Sequence, residues 1–428
     1  MTVRDTFSSK WALILVCIGS TIGMGNIWLF PYRIGEMGGA FLIPYLICVA
    51  LLGATALVGE MTFGRLMGSG PIGAYAKAVD YRGGKPIIGK LFGWFVVIGI
   101  MVVAVGYTIV IAWVARFGWG AVTGQAFRVA DSMQYFNQVT GPNIMFWILL
   151  TLAIMVLTMF GGVEKGIERA NKIMMPLFAL LFAALAVRSA FLPNALEGYK
   201  YLLDIRLDIL KESRTWVLAL SQAFYSLSVF GSTMIVYGSY IKKSENILNS
   251  AKNIAILDTA ASLLASIVII PAVFAFGKDL NSGPPLLFIT MTDVFKMIPF
   301  GQFFMIIFFV AIFFAGATSL ISMLEVSVEI LQTKFSRIIA VLITVAVVFI
   351  GDLYINGEIG PFMDIIELYF TPLFSLGAGI FIFWVLPTKY FSNELALGRQ
   401  KPAGKFLIFM GRYVFCGMIL IIYLFNIL

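Results

Sequence analysis

The sequence contains no histidine. That removes the commonest general base and the commonest transition-metal ligand, and with them most hydrolase and metalloenzyme readings. Charge is scarce too: Asp, Glu, Lys and Arg together make up 12% of 428 residues. Cysteine is limited to Cys17, Cys48 and Cys416, all in apolar segments, so a disulfide framework is not expected. No nucleophile stands with a base in any cluster, which argues against an enzyme. The net charge of +8 is scattered over short loops and forms no patch, which argues against nucleic acid as a partner.

What the chain has instead is apolar length. It is 60% hydrophobic, and runs of about 20 residues, enough to cross a hydrocarbon core of ~30 Å, recur from end to end. Eleven spans are predicted, near 12–35, 40–66, 90–119, 144–162, 171–191, 215–238, 250–276, 301–331, 336–353, 362–386 and 405–427. The first run follows Arg4 and Lys10 but is too long for a signal peptide and has no small-residue cleavage site. Lys and Arg concentrate in the loops that an inside N-terminus makes cytoplasmic, among them Arg65, Lys77, Arg82, Lys242, Lys243, Lys334 and Arg337. An odd number of spans then puts the C-terminus outside. The expected class is an all-α integral membrane protein with 11 transmembrane helices and the bilayer as its partner.

Residues 19–33, GSTIGMGNIWLFPYR, interrupt the first span with three glycines, an asparagine and a proline. Backbone at membrane depth leaves the helix only where protein or a cavity satisfies it, since an unpaired N–H or C=O in hydrocarbon costs several kcal/mol. The sixth segment is interrupted too, at Ser226-Leu-Ser-Val-Phe-Gly-Ser232, five helices later. Broken helices in corresponding positions of two halves point to an inverted-repeat transporter with its site at the midplane. Asp258, an acid inside a span, costs ~2.5–3.5 kcal/mol on insertion scales and is therefore a functional candidate. Glu60, Glu325 and Glu329 are further acids in or near spans.

Gly19 through Tyr32, followed by Gly38-Gly-Ala-Phe-Leu-Ile-Pro-Tyr45, resembles the first-helix signature of the neurotransmitter:sodium symporters, bacterial branch. The likeness continues in Gly59-Glu-Met-Thr-Phe-Gly-Arg65, Tyr107, the sixth segment, Asp258-Thr-Ala-Ala-Ser262 and Ala315-Gly-Ala-Thr-Ser319. It covers nearly the whole chain. It implies one transporter domain over 1–428, with an inverted 5+5 repeat (about 11–191 and 215–386), helices 1 and 6 broken at the midplane, and an extra helix at about 405–427. It also implies residence in a prokaryotic plasma membrane and sodium as co-substrate, in two ions. Of these, site 2 would use the carbonyls of Gly19, Ile22 and Ala315 with the hydroxyls of Thr318 and Ser319. The spacing fits unaided, because residues three and four beyond Ala315 return to one helical face. A Thr-Ser pair on a membrane helix also bonds back to its own carbonyls, and the sequence alone leaves both readings open. Site 1 would use Thr21, Asn26, Ser226, Asp258 and the substrate carboxylate. Many relatives have asparagine in place of Asp258.

The same resemblance places the substrate among Ser20, Thr21, Met24, Gly25, Val103, Tyr107, Tyr225, Ser226, Ser228, Phe230, Gly231, Ser319 and Met323. Monoamine carriers have an aspartate where this chain has Gly23, so the carboxylate should come from the substrate. The expected function is sodium-coupled import of neutral, large hydrophobic or aromatic L-amino acids by alternating access. Small neutral amino acids, or a transceptor that binds without translocating, are the alternatives. A channel is disfavoured by the lack of a repeated filter sequence. Chloride-dependent relatives carry a serine at the position of Ser262, but Asp258 is one turn away and can supply the compensating charge, so chloride is not expected to be required. Leu29 replaces the family's outer-gate arginine. Arg33, one turn on, is expected to meet Glu367, three residues after Asp364. Toward the cytoplasm, the usual acid is replaced by Thr333, and Arg4 is expected to pair with Glu325 or Glu329.

Overall fold

The structure is a computed structural model that describes residues 6–141, 144–229, 231–278, 286–355, 362, 365–399 and 405–427, without the side chains of 52, 54, 367, 368 and 425–427. Among these residues every regular element is helical. The long elements are α1 (Lys10–Thr21), α2 (Phe30–Met37), α3 (Leu42–Leu52), α4 (Val58–Met67), α5 (Pro71–Tyr81), α6 (Pro86–Val122), α7 (Met145–Phe160), α8 (Arg169–Ala190), α9 (Ser213–Ser226), α10 (Thr233–Ser239), α11 (Ile247–Ala275), α12 (Gly301–Leu331), α13 (Arg337–Ile355), α14 (Thr371–Ile380), α15 (Thr388–Ala396) and α16 (Cys416–Ile427). Single π-helical turns join several of them, at Gly25–Leu29, Gly53–Leu57 and Val163–Glu168. Such turns add a residue to the helical repeat and shift the face that follows.

Eleven apolar windows become seven described helices long and apolar enough to cross a membrane, or eight if a pair bent by 93° counts as one. The difference lies in continuity. The first window yields the 12-residue α1 before it breaks, α7 has 16 residues, and the sixth window is divided between α9 and α10. The next helical run then continues through α2, α3 and α4 as Gly25–Met67. Hydropathy averages over such breaks and cannot see them.

Helix α1 lies centrally, packed on α8, α11 and α12, and α6 lies along α12. Ser9 starts α1 by accepting a hydrogen bond from the Ala12 amide at 3.2 Å. Phe7, just before it, is buried edge-on against Tyr237 and Tyr240. At the end of α2, Gly38 takes φ +64°, and a Cβ on Gly39 would stand 2.3 Å from the Leu202 carbonyl. Only glycine fits this corner. Large apolar side chains such as Leu91, Ile98, Leu157, Leu180 and Phe303 face outward, the pattern of a surface solvated by lipid.

One polar knot holds α4 to the C-terminal part. Arg65 Nε donates to Glu394 Oε1 at 2.7 Å, and its two amino groups donate to the carbonyls of Glu245 and Glu394. The two side chains are only 2% and 9% exposed. Arg65→Ala strands a buried carboxylate and is expected to cost roughly 3–5 kcal/mol. Fluorescence-detected thermal melting should show the loss, and Arg65→Ala with Glu394→Ala should recover part of it. An unchanged melting temperature in the single variant would contradict this.

Candidate functional site

Helix α1 stops at Thr21. Ile22 is extended (ψ 112°), and helical structure resumes at Gly25. The exposed amides are taken by side chains: Gly23 N–H donates to Asn26 Oδ1 at 3.0 Å, and Met24 N–H donates to the Tyr107 hydroxyl at 3.2 Å. Glycine is sterically required at two of these positions. A Cβ on Gly23 would meet the Tyr107 oxygen at 2.5 Å, and one on Gly25 would meet the Tyr225 ring at 2.7 Å. Helix α9 ends at Ser226, and the chain passes through Ser228 at φ +50° before α10 begins at Thr233. Here too side chains satisfy the backbone. Ser375 donates to the Val229 carbonyl at 2.5 Å, Tyr75 donates to the Gly231 carbonyl at 2.7 Å, and Gly231 N–H donates to Glu60 Oε1 at 2.9 Å.

Between the two interruptions lies a cavity. It is lined by Ser20, Thr21, Gly23, Met24, Gly25, Val103, Tyr107, Tyr225, Ser228, Ser319 and Met323, with Ile366 and Thr371 added from beyond α13. Most of the residues expected from the sequence therefore meet. Ser226 does not line the cavity; it is buried against Asn26 and Asp258. Gly231 does not line it either. At φ +69° its backbone turns toward Tyr75 and Glu60, and a Cβ there would meet Ala378 at 2.6 Å rather than open space. Phe230 lies outside the described residues. Ile366 and Thr371 carry no signal in the sequence, because they arrive from a helix with no motif of its own.

Two oxygen clusters flank the cavity. In one, Asn26 Nδ2 is surrounded by Ser226 Oγ at 3.0 Å, Asp258 Oδ1 at 2.9 Å and Ser262 Oγ at 2.9 Å, and Ser226 donates to Asp258 Oδ2 at 2.5 Å. All four residues are buried, Asp258 completely. Three oxygens converging on one positively polarised group make an environment suited to a hard cation. In the other, Ser319 Oγ donates across to α1, within 3.1 Å of the Gly19 carbonyl and 2.9 Å of that of Ile22. Thr318 instead bonds back to the carbonyls of Phe314 and Ala315, both at 3.0 Å. Of the hydroxyl pair, one reaches across to α1 and the other bonds within its own helix.

On α2, beyond the first interruption, Arg33 donates to Glu36 at 2.8 Å, and Tyr32 also donates to Glu36, at 3.3 Å. The side chain of Glu367 lies outside the described residues, as do Asp364 and Arg4. Toward the C-terminal end of α12, Glu325 takes its cation from Arg337 (2.8 Å), with the Tyr240 hydroxyl donating at 3.2 Å, and Glu329 accepts from the Gly70 amide at 2.9 Å. The partner of Glu325 was not foreseen because Arg337 begins a separate helix.

The family described as "Sodium:neurotransmitter symporter family" matches residues 4–126 and 123–428. The chain is 32% identical over 430 residues to "Uncharacterized sodium-dependent transporter YhdH" of Bacillus subtilis, covering 95% of this chain and 93% of that one. It is 28% identical to "Uncharacterized sodium-dependent transporter MJ1319" of Methanocaldococcus jannaschii, over 89% and 82% of the two chains. The crystal structure of MhsT in complex with L-phenylalanine superposes with a TM-score of 0.87 at 31% identity, covering 99% of both chains.

Proposed function

The chain belongs to the sodium:neurotransmitter symporter family, a family of sodium-dependent membrane transporters and not of enzymes, and we propose that it imports neutral, large hydrophobic or aromatic L-amino acids together with two sodium ions. In this reading the chain is one domain of eleven spans, with inverted repeats over about 11–191 and 215–386, an extra helix at about 405–427, an inside N-terminus and an outside C-terminus. The membrane is a prokaryotic plasma membrane.

The observation that carries the proposal is the Asn26–Ser226–Asp258–Ser262 cluster beside a cavity whose wall holds the Tyr107 hydroxyl and the start of a helix at Gly25. The helix N-terminus and the hydroxyl receive a carboxylate. Sodium at Asp258, Asn26, Ser226 and Thr21 neutralises it from the other side. Carbonyls of the interrupted sixth segment, near Tyr225 and Ser228, receive the ammonium. Val103, Met24, Met323 and Ile366 supply apolar contact, with methionines that adapt to irregular shapes. The second sodium lies among Gly19, Ile22, Ala315, Thr318 and Ser319, and its arrival turns the Thr318 hydroxyl away from its own helix. Two charges moving inward supply roughly 4.6 kcal/mol per 100 mV, more than a thousandfold in concentration.

The test is uptake of radiolabelled L-phenylalanine, L-tyrosine, L-leucine and glycine into proteoliposomes, with sodium or choline outside. Sodium-dependent uptake, with the large side chains competing best, is expected. Equal uptake in choline, binding without counterflow, or glycine outcompeting the others would overturn the corresponding part of the reading.

The outer gate completes it. The Pro31 region is helical within α2, so Arg33 lies one turn beyond Leu29, and in this reading it exchanges Glu36 for Glu367 as the vestibule closes. A partly wet pair is worth only ~1 kcal/mol. Arg33→Gln and Glu367→Gln are expected to speed substrate dissociation non-additively by about fivefold, with little effect on melting. Additive effects in the double-mutant cycle would disconnect the two.

A further inference from the structure

Asn171 sits on α8, wholly buried, and its Oδ1 finds no hydrogen-bond donor among the described residues. Its amide nitrogen is anchored to the Ile167 carbonyl at 2.9 Å, which fixes the oxygen on the opposite side. That oxygen is pressed against α1. A Cβ on Gly19 would stand 1.8 Å from Asn171 Oδ1 and 2.9 Å from Thr318 Cβ. The orphan acceptor therefore shares the space around Gly19 with Thr318, at the seam where α1, α8 and α12 all touch one another. A buried amide oxygen left unmatched is destabilising, and an aliphatic side chain would avoid that cost.

Three residues toward the cytoplasmic end, on the same face, Glu168 is also buried, its side chain 2% exposed. Its carboxylate receives the Ser8 amide at 3.0 Å, the Ser8 hydroxyl, and the Lys172 ammonium at 2.6 Å. Lys242 in turn donates to the Ser8 carbonyl at 3.3 Å. Everything on this carboxylate except Lys172 comes from the segment that precedes α1. Lifting that segment away would leave Glu168 with the half-exposed Lys172 as its remaining donor among the described residues, at the mouth of the seam.

We propose that Asn171 Oδ1 and the Glu168 carboxylate are two oxygen stations on the route by which sodium leaves site 2 for the cytoplasm, the first beside Gly19 and the second uncovered when Ser8 withdraws. The proposal rests on the reading of Gly19, Ile22, Ala315, Thr318 and Ser319 as a sodium site. A desolvated cation crossing an apolar seam gains from a neutral oxygen within one step of its site, and the same oxygen is too weak a ligand to trap it. An anion at the exit then competes with the site only after the Ser8 donors have left and the half-exposed Lys172 has swung toward solvent.

Two measurements test this. In proteoliposomes, Asn171→Ala is expected to slow net sodium-driven L-phenylalanine uptake at least about fivefold, while exchange at equal, saturating sodium on both sides stays within about twofold, because exchange does not require sodium to leave. On purified protein, where no amino acid is needed, ²²Na⁺ binding to Asn171→Asp is expected to half-saturate at a concentration at least about fivefold lower than wild type, since the station becomes charged. Net uptake and exchange falling in parallel, or ²²Na⁺ binding to Asn171→Asp indistinguishable from wild type, would overturn the proposal. If Asn171→Asp does not fold, the net-against-exchange split of Asn171→Ala decides alone. If wild type does not carry L-phenylalanine, the ²²Na⁺ result decides. Ser319→Ala is the control for the underlying reading: unchanged ²²Na⁺ binding there would refute site 2 itself, whatever the Asn171 variants do.

Discussion

In chloride-free medium, Asp258→Asn is expected to reduce sodium-driven uptake about a hundredfold, the equivalent of roughly 2.7 kcal/mol. The residue is wholly buried and shares its two carboxylate oxygens between Asn26 and Ser226. With a sodium ion at that point, the carboxylate is the fixed charge that compensates it in a low-dielectric setting, where such compensation is strongest. Ser262 Oγ stands on the same Asn26 nitrogen at 2.9 Å, so the polar wall that would receive a mobile anion is already present. Wild-type uptake is accordingly expected to continue when gluconate replaces chloride, and the variant is expected to regain part of its activity when chloride is returned. Chloride-dependent wild-type uptake, or a variant equal to wild type in gluconate, would sink the assignment.

Removing the carboxylate from the substrate should have a comparable effect. Tyramine is expected to compete with labelled L-tyrosine at least about a hundredfold more weakly than L-tyrosine itself. The amine leaves the Tyr107 hydroxyl and the Gly25 helix start without an anion and takes one oxygen from the sodium at Asp258, a loss of roughly 3–5 kcal/mol. Among the described residues lining the cavity no carboxylate replaces the missing charge: position 23 is glycine, and its Cβ site is occupied by the Tyr107 oxygen at 2.5 Å. Gly23→Asp should therefore fail to convert the protein into an amine carrier, because the side chain collides with the hydroxyl that orients the site. Tyramine equal to tyrosine in a scintillation-proximity competition would contradict the first statement, and tyramine uptake by Gly23→Asp the second.

The helical class and the two interruptions were legible in local signals, long apolar runs and glycines where a membrane helix should be continuous, whereas the meeting of Ser20, Met24, Tyr107, Tyr225, Ser228 and Ser319 was carried by the resemblance of the motifs to the symporter family. What was not legible depends on direction. The resemblance places Gly231 at the substrate, yet at φ +69° its backbone points to Tyr75 and Glu60, and a Cβ there would meet Ala378 and Tyr75 outside the cavity. Arg33 meets Glu36, three residues on, at 2.8 Å, a contact that competes with any pairing to the more distant Glu367. Arg337 reaches Glu325 only because a tight connection returns α13 to the end of α12. Ile366, Thr371 and Asn171 lie in segments whose patterns are ordinary for membrane helices, and only packing shows that they face a cavity or a seam.

The glycine contacts between α4 and α10 set the mechanics of the interrupted sixth segment. A Cβ on Gly64 would stand 2.1 Å from the Ile235 carbonyl, and one on Gly238 would stand 2.6 Å from that of Met61, so these two backbones touch with nothing between them. The other half, α9, is packed along α3. Helices α3 and α4 are consecutive parts of one run, joined by a single π turn at Gly53–Leu57. Both ends of the open stretch from Leu227 to Ser232 are thus moored to the same pier. A shift of that pier would carry both ends together, like a bridge whose two abutments stand on one foundation.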